Sequence, residues 1–342
     1  MPIASTQVHD IETSGNPHEW PTYREYRESL CSEEYQATEK MYSITDKQDS
    51  THRVDILLNC RKYAWFARDN VTGLVHVCSN SCRLRWCPIC SGGRSKYITN
   101  SVTDWIRKWK HPRFLTLTLK HSNSPLSHQI DTIYKHFRTL RKDKQFKQYV
   151  EGGIWFFQVK LSKRGDQWHP HIHCLIVGKY LPHDWISRKW LRITKTSNVV
   201  DIRAVTDPKR TAEYVARYCS RPAKLSQYPP ELNVEIMRAM HGRRLCGTWG
   251  KAKGTSLSPP RYVPKEKYTR LGTWSTVMSL RTTIADARII LDCWNKQIPI
   301  PPGVTCQQID DFIDDTPSIG GTESDCDLPP PGSNWQTLFS FL

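Results

Sequence analysis

The chain has 342 residues, enough for one large or two modest domains, and a formal net charge of +16 at pH 7. Such an excess of positive charge indicates a polyanionic partner, and nucleic acid is the usual one. No apolar run approaches the roughly 18 residues needed to cross a membrane, and the first residues lack the basic and apolar segments of a secretory signal. We therefore expect a cytoplasmic protein that binds nucleic acid and does not contact membranes.

Residues 1–50 are polar and contain patches rich in glutamate and tyrosine, which predict a loosely ordered leader with one helix. The following segment, 51–97, contains four closely spaced cysteines: Cys78, Cys82, Cys87 and Cys90. In a cytosolic protein such clustering favours zinc over disulfides, with reduced free thiols as the alternative. Four thiolates around zinc form a closed structural site that helps to fold a segment with little core. Cys60 is an alternative ligand to Cys78.

The first elements of the next segment alternate between helices and strands. We predict a helix at 97–109, a strand at 113–119, a basic amphipathic helix or helix pair at 127–150, and a strand at 154–161. The basic face of 127–150 is equally compatible with a solvated surface and with direct phosphate contact.

The strongest functional signal lies at 168–177, which predicts a turn followed by a buried strand. Side chains alternate between the two faces of a strand, so His171 and His173 point the same way, roughly 7 Å apart along the chain. Two imidazoles at this spacing can bind one divalent cation. The alternative is a strand that carries histidines by coincidence, which the density of histidines here disfavours.

A helix at 183–191 and a strand at 198–205 precede a short predicted helix at 206–222. Asp207 suits the N-cap and Pro208 the first helical position. Pro222 is expected to end the helix.

This short helix carries two tyrosines and two arginines at helical spacing. Tyr214 and Tyr218 are four residues apart and therefore share a face, and Arg217 and Arg221 form a second such pair beside them. The pattern is that of nucleophiles beside a phosphate-binding surface. Considered alone, however, this pattern is more typical of two tyrosines that pack against the core on an amphipathic helix.

The C-terminal part contains a predicted strand at 243–250, a predicted helix at 283–296 and a proline-rich acidic tail at 297–342. Seven acidic residues and no lysine or arginine lie from Ile300 to the end, which predicts disorder. The final apolar peptide, 334–342, is reminiscent of sliding-clamp-binding motifs. The alternative is a terminus that folds back on the core.

Three motifs together resemble those of HUH endonucleases, and in particular the rolling-circle replication initiators of small bacterial plasmids and single-stranded DNA phages. They are the threonine-containing strand Phe-Leu-Thr-Leu-Thr-Leu-Lys at 114–120, His-Pro-His-Ile-His at 169–173, and Tyr-Val-Ala-Arg-Tyr-Cys-Ser-Arg at 214–221. They occur in the order found in that family and cover residues from about 110 to 222.

The resemblance implies an α+β protein with the HUH endonuclease fold, a central and largely antiparallel sheet with helices packed on it, plus an N-terminal zinc knuckle. We expect the strands at 113–119, 154–161 and 171–177 to be neighbours, with the tyrosine helix across their metal-binding face. The expected organisation is a leader at 1–50, a zinc-binding region at 51–97, a nicking and joining domain at 98–296, and a disordered tail at 297–342.

The resemblance also implies site residues. His171 and His173 correspond to the ligands of a catalytic Mg²⁺ or Mn²⁺ ion. The position of the third ligand, which usually holds a carboxylate or another polar residue, holds Gln158 here, with Asp166 and His169 as rivals. An amide oxygen is a weaker ligand than a carboxylate.

Tyr218 corresponds to the nucleophile that cuts the strand, and Tyr214 to a second nucleophile where some plasmid relatives have glutamate. Arg217 stands where those relatives have lysine, so the charge is kept but a proton-transfer role is not. The predicted DNA contacts are Arg217, Arg221 and Lys224.

The implied partners are the double-strand origin of a plasmid, with its single-stranded hairpin loop, and a host polymerase extending the free 3′ end. No nucleotide-binding Gly-x-x-x-x-Gly-Lys-Ser/Thr loop is present, so we also expect a host helicase. A sliding clamp is a further candidate partner through the C-terminal peptide.

Three alternatives remain open. A rolling-circle transposase shares the cysteines, the paired histidines and the two tyrosines, and differs in the DNA on which it acts. A non-catalytic zinc DNA-binding protein would never become covalently attached to DNA. A nucleotide hydrolase of the histidine-triad type is disfavoured by Pro170, the cysteines and the basic charge.

Overall fold

The computed structural model describes residues 22–45, 47–120, 122–162, 167–220, 223–259 and 265–307. Helices and two antiparallel sheets make up this part of the chain, which confirms the predicted α+β class. The chain divides into two compact units. The described residues of the first lie within Met1–Leu30, Arg61–Ser81 and Tyr262–Leu342, and those of the second within Cys31–Cys60 and Cys82–Arg261. Within the described ranges, every helix is too short or too polar to cross a membrane.

The first unit is built on a three-stranded antiparallel sheet in the order β2-β1-β8. Its strands are β1 (Ala64–Asp69), β2 (Val75–Ser79) and β8 (Tyr268–Thr273), and its helices are α1 (Tyr23–Ser29), α10 (Trp274–Leu280) and α11 (Ala285–Lys296). The aromatic rings of Tyr23, Phe66, Trp274 and Trp294 form the centre of its core. Phe66 and Trp274 stack with their centroids 5.3 Å apart.

The prediction of a loosely ordered leader with one helix is wrong for residues 23–50, which are largely helical. After α1 come α2 (Ser32–Ser43) and α3 (Lys47–Leu58). The reason lies in aromatic residues at helical spacing. Tyr35 and Tyr42 are seven residues apart, so they lie on the same side of α2, and both are buried. A capping box between Thr22 and Glu25 fixes the start of α1. Residues 1–21 lie outside the described part of the chain.

The predicted disordered tail begins too early. Residues 297–307 pack in the first unit, where Ile300 and Cys306 are buried in the core. Pro299 forms a bridge with Leu74, and the backbone N–H of Cys306 donates to the carbonyl of Leu271. The remainder of the tail, including the clamp-like peptide at 334–342, lies outside the described residues.

The second unit contains a five-stranded antiparallel sheet in the order β6-β3-β5-β4-β7. Its strands are β3 (Arg113–Thr118), β4 (Val150–Leu161), β5 (Trp168–Gly178), β6 (Val200–Ala204) and β7 (Cys246–Gly250). The three strands predicted to be neighbours are neighbours, with β5 between β3 and β4. The register places Thr116 opposite His173 and Gln158 opposite His171.

Helices cover both faces of this sheet. They are α4 (Pro88–Arg107), α5 (Leu126–Lys142), α6 (Lys144–Tyr149), α7 (His183–Thr194), α8 (Pro208–Ser220) and α9 (Pro230–Ala239). Apolar residues of α4 and α8 pack against Phe156 and Leu175, on the face that also carries His173. Tyr134 of α5 packs against Trp155 and Phe157 on the opposite face.

Two boundaries differ from the predicted ones. Helix α4 begins nine residues earlier than the predicted 97, because Cys87 caps it and Pro88 occupies its first position. The predicted domain at 98–296 contributes to both units, since residues from 262 onward belong to the first. The sequence signal for this division is weak, because β8 is distant in the chain from β1 and β2, with which it shares a sheet.

Candidate active site

The histidine-bearing face of β5 is the centre of the candidate site. His171 and His173 lie side by side with their rings nearly parallel, 11° apart, and their centroids separated by 6.0 Å. The strand alternation places His169 on the same face, 4.2 Å from His171 between centroids. His173 is buried, with 4% of its surface exposed, whereas His171 is half-buried.

Two neighbouring strands hold the His173 ring from either side. Its Nε2 lies 2.9 Å from Oε1 of Gln158 on β4, and its Nδ1 lies 3.1 Å from Oγ1 of Thr116 on β3. When Nδ1–H donates to Thr116, the Nε2 lone pair points toward Gln158, and the two can ligate one cation. When Nε2–H instead donates to Gln158, His173 is a buried histidine whose hydrogen bonds are satisfied and which has no lone pair free for a cation at Nε2. A bound cation selects the first tautomer.

The electrostatic surroundings keep His173 neutral. Burial is the largest cause, and with the charge of Lys160 it lowers the pKa of His173 to about 4, while Asp201 opposes this shift. Asp201 lies on β6 opposite Thr116 and forms an ion pair with Arg203. A neutral imidazole is the form that binds metal ions, so this environment suits a ligand.

Helix α8 brings both tyrosines onto the histidine face. Asp207 accepts a hydrogen bond from the backbone N–H of Arg210 at 3.0 Å, as expected of its capping position. The Tyr218 ring stacks on His173, 24° from parallel and 5.4 Å between centroids. The Tyr214 ring meets His173 edge-on at 5.8 Å and Tyr218 at 5.1 Å.

The Tyr218 hydroxyl lies in an environment of opposing effects. Burial, followed by the hydrogen bond and charge of Tyr214, raises the pKa of Tyr218, while Arg217 and a hydrogen bond with Gln158 lower it. A tyrosine that must lose its proton during a reaction therefore depends on the stabilising groups around it. Arg217 also lies over the Tyr214 ring, 5.7 Å from its centroid.

Some of the predicted DNA contacts and rival ligands lie within the described residues, and others lie outside them. Arg217 and Lys224 are exposed and accessible to a polyanion. Arg221, as well as Asp166, the rival third ligand, lies outside the described residues. Within the described ranges, no aspartate, glutamate or cysteine completes a compact three-donor group with the two histidines. The Gln158 oxygen lies 2.9 Å from Nε2 of His173. Imidazole nitrogens and an amide oxygen are donors that fit a divalent cation with a preference for oxygen and nitrogen.

A second cluster of donor atoms, the cysteine cluster, consists of Cys60, Cys82, Cys87 and Cys90. All four sulfur atoms lie within 4.8 Å of one another. This corrects the predicted ligand set, because Cys60 takes the place given to Cys78. Cys78 lies on β2, paired with Trp65, in the first unit. Spacing alone favoured Cys78, whereas the end of α3 brings Cys60 to the start of α4.

The geometry of the cysteine cluster suits zinc. A tetrahedron with Zn–S bonds of about 2.3 Å has sulfur atoms about 3.8 Å apart. The Cys60–Cys90, Cys82–Cys90 and Cys60–Cys87 sulfur separations are 3.3, 3.7 and 3.7 Å. Contact with Cys60, then with the other thiols, raises the pKa of Cys87 well above its usual value. A bound cation would offset the repulsion that opposes ionisation of these thiols.

Two residues that contact the His173 ring were missed by the sequence analysis. Thr116 belongs to the threonine-containing motif at 114–120 but was given no role, although it contacts the ring of a candidate ligand. Phe114 stacks on the same ring at 5.4 Å. The available signal was the cross-strand register, since residues opposite one another in neighbouring strands share a face.

Comparison with known proteins identifies the class of protein that carries this site. The family model described as "Replication protein" matches residues 74–260, more than half of the chain. The chain therefore belongs to the replication protein family. All candidate histidine, glutamine and tyrosine residues lie within the match, as does Cys78, whereas Cys60 lies outside it.

Individual relatives support this assignment at modest identity. The chain is 26% identical to Protein rep of Bacillus amyloliquefaciens over 220 residues, which cover 59% of this chain and 62% of the relative. It is 27% identical to Protein rep of Streptococcus pneumoniae over 195 residues, covering 50% and 61% of the two chains. The match thus spans about three fifths of the length of these relatives. No solved structure matches the chain.

Proposed function

We propose that the chain initiates rolling-circle replication of a plasmid by cutting one strand of the origin with a tyrosine nucleophile. The observation that carries this proposal is the convergence of His171, His173, Gln158 and both tyrosines on one face of the sheet. Packing residues alone would not require two imidazoles and an amide beside the tyrosine hydroxyls. Membership of the replication protein family favours an initiator over a transposase.

The residues of the chain divide the work of the reaction. Tyr218 Oη attacks the scissile phosphorus, and the bond to the 3′ oxygen breaks with its electron pair remaining on that oxygen. The phenolic proton passes to solvent, and the departing 3′ oxygen takes up a proton. The 5′ phosphate remains attached to Tyr218. Arg217, exposed beside Tyr214, provides positive charge for the DNA backbone.

Gln158 and the two histidines would hold Mg²⁺ or Mn²⁺, which when bound supplies charge to offset that of the scissile phosphate. Thr116 would accept from Nδ1–H of His173 and so stabilise the orientation in which Nε2 faces the ion. Tyr214 lies close enough to Tyr218, 5.1 Å between centroids, to attack the same phosphate region in a second transfer. The free 3′ end primes a host polymerase on a strand opened by a host helicase.

We further propose that the cysteine cluster binds a structural zinc ion. This rests on the four sulfur atoms and their separations. Cys87 is the N-cap of α4 and Cys90 lies in its first turn, so the ion would fix the start of that helix. Helix α4 packs against α8, and the zinc would thereby support the helix that carries the tyrosines.

The test is a nicking assay on supercoiled plasmid carrying the origin of the replicon that encodes the chain, with Mg²⁺ or Mn²⁺. The full chain is compared with Tyr218→Phe, Tyr214→Phe and the double variant, and the products are analysed for protein on the 5′ end. We expect metal-dependent cutting that is lost with Tyr218→Phe and retained with Tyr214→Phe. Equal cutting by all four proteins would refute the tyrosine assignment, and a wild-type chain that never attaches to DNA would refute the proposed activity.

A further inference from the structure

A cavity of about 850 Å³ lies along β7, one of the two edge strands of the five-stranded sheet. Its walls are one side of α5, Trp155 of β4, the segment from Arg243 to Thr248, and three residues that follow β7: Thr255, Leu257 and Ser258. We call it the arginine cavity, because four arginines line it: Arg138, Arg141, Arg243 and Arg244. All of its lining residues belong to the second unit.

The charges in the arginine cavity are unbalanced. Asp131 is the acidic residue of the lining, and it is already paired with Arg243, with Nη2 and Oδ2 2.7 Å apart. Within the described ranges, Arg138, Arg141 and Arg244 form no ion pair. Three guanidinium groups that face one cavity and have no carboxylate partner there attract an anion.

Of the three arginines, Arg141 gives the strongest indication of a bound anion. Its guanidinium lies over the rings of Phe137 and Trp249, 4.6 and 5.6 Å from their centroids. Its Nε is buried and has no hydrogen-bond partner among the described residues. Burying a charged donor without an acceptor costs free energy, and an anion bound to the other nitrogens of this guanidinium would offset part of that cost.

The cavity also offers aromatic surface. Tyr134 and Trp155 meet edge-on in its wall with centroids 5.5 Å apart. The Tyr134 hydroxyl donates to the carbonyl of Arg244 at 2.5 Å, which ties α5 to the segment that enters β7. A Cβ at Gly247 would lie 2.7 Å from Nε1 of Trp155, so glycine is required for the indole to reach this position. Flat aromatic side chains beside guanidinium groups suit a base and its phosphate.

The arginine cavity is separate from the tyrosine site. Trp155 lies on β4 opposite Cys174, whereas Gln158 lies opposite His171 three residues along the same strand. Side chains three residues apart on a strand point to opposite faces. DNA in the cavity would therefore lie outside the reacting centre, at the edge of the sheet.

We propose that the arginine cavity binds a segment of single-stranded DNA, with a phosphate held by Arg138, Arg141 and Arg244 and a base stacked on Trp155 or Tyr134. The proposal rests on the proposed function in one respect, since cutting an origin produces such a strand. The volume of the cavity, about 850 Å³, and its aromatic lining favour a strand over an isolated phosphate ion.

The first test measures binding of the full chain to a fluorescent oligothymidylate by anisotropy over a range of salt concentrations. The cavity variant is Arg138→Gln with Arg244→Gln, both at exposed positions. The matched control is Lys135→Gln with Lys142→Gln, which removes the same charge from exposed positions of α5 outside the lining. We expect the cavity variant to bind on the order of tenfold more weakly, with the salt slope reduced by up to about 0.7, because one single-strand phosphate contact contributes about 0.7. The control should change the affinity by no more than about twofold. Equal losses in both variants would overturn the proposal.

The second test locates the base. An oligonucleotide carrying 5-iodouracil is photo-crosslinked to the wild-type chain, and the attached peptide is identified by mass spectrometry. Attachment at Tyr134 or Trp155 supports the proposal, and attachment only to α8 overturns it. Displacement of the oligonucleotide from the cavity by millimolar thymidine monophosphate at constant ionic strength would assign the cavity to a free nucleotide instead.

Failure of this inference is distinguishable from failure of the proposed function. A chain that binds the strand through the cavity but never becomes covalently attached refutes the proposed activity alone. A chain that attaches at Tyr218 but binds equally well in the cavity and control variants refutes the cavity alone.

Discussion

The two clusters of donor atoms in the second unit differ in how far they enclose a cation. The cysteine cluster presents four sulfur atoms toward a common centre, and three of its four residues are buried. The histidine face presents two nitrogens and one amide oxygen, with His171 half-buried and Tyr218 stacked beside the site. A closed set of four ligands suits a structural ion, whereas an incomplete set leaves coordination positions for a substrate. Variants of the two clusters should therefore fail in different ways.

The largest effect is expected in the cysteine cluster. Cys60→Ser removes one of four ligands and should abolish stoichiometric zinc binding, with a loss of stability of about 4 kcal/mol or more, as loss of a structural metal can cause. Inductively coupled plasma mass spectrometry measures the zinc content, and thermal unfolding measures the loss of stability. Cys78→Ser is the matched control, since Cys78 is also buried but lies outside the cluster, and it should retain zinc. Loss of zinc from Cys78→Ser with retention in Cys60→Ser would restore the ligand set favoured by sequence spacing.

The difference between the two clusters also explains what the sequence could predict. His171, His173, Tyr214 and Tyr218 lie at regular spacing on one strand and one helix, so local periodicity places them on shared faces before any tertiary structure is known. Cys60 reaches the cluster only because α3 ends beside the start of α4, a tertiary relation that spacing does not encode. Cys78 is close to the other cysteines in sequence, but it lies on β2, which belongs to the first unit.

The same reasoning applies to the fold. The strands β3, β4 and β5 were predictable because each is largely apolar, and β3 and β5 also carry a motif. The first unit was missed because its sheet joins β1 and β2 to β8, almost two hundred residues away in sequence, and short strands of this kind have no local signal for their partners. Helix α9 was also missed, although Pro230 at its first position is a start signal.

A smaller effect is expected from changing the third ligand on the histidine face. Gln158→Glu replaces a neutral amide oxygen by a carboxylate and should strengthen Mn²⁺ binding on the order of tenfold, about 1.4 kcal/mol. Gln158→Ala should weaken it by a similar factor. Titration calorimetry with Mn²⁺ on the full chain measures both, and circular dichroism shows whether each variant is folded. If folded Gln158→Ala binds Mn²⁺ as the wild type does, the third ligand is another residue, with His169 and Asp166 the next candidates.

The finest distinction concerns Thr116, which does not touch the cation in the proposed site but orients its ligand. Thr116→Val keeps the shape of the side chain and removes the acceptor for Nδ1–H of His173, 3.1 Å away. The ring then loses the acceptor that stabilises the metal-binding tautomer, and Mn²⁺ affinity should fall by about tenfold, at the lower end of what such outer contacts contribute. Thr118→Val is the control, because Thr118 lies two residues along the same face of β3 but donates to the backbone carbonyl of Val199. Equal effects of the two substitutions would mean that Thr116 acts through strand packing rather than through the histidine tautomer. A loss confined to Thr116→Val would show that the open cluster, unlike the closed one, depends on neighbours that are not themselves ligands.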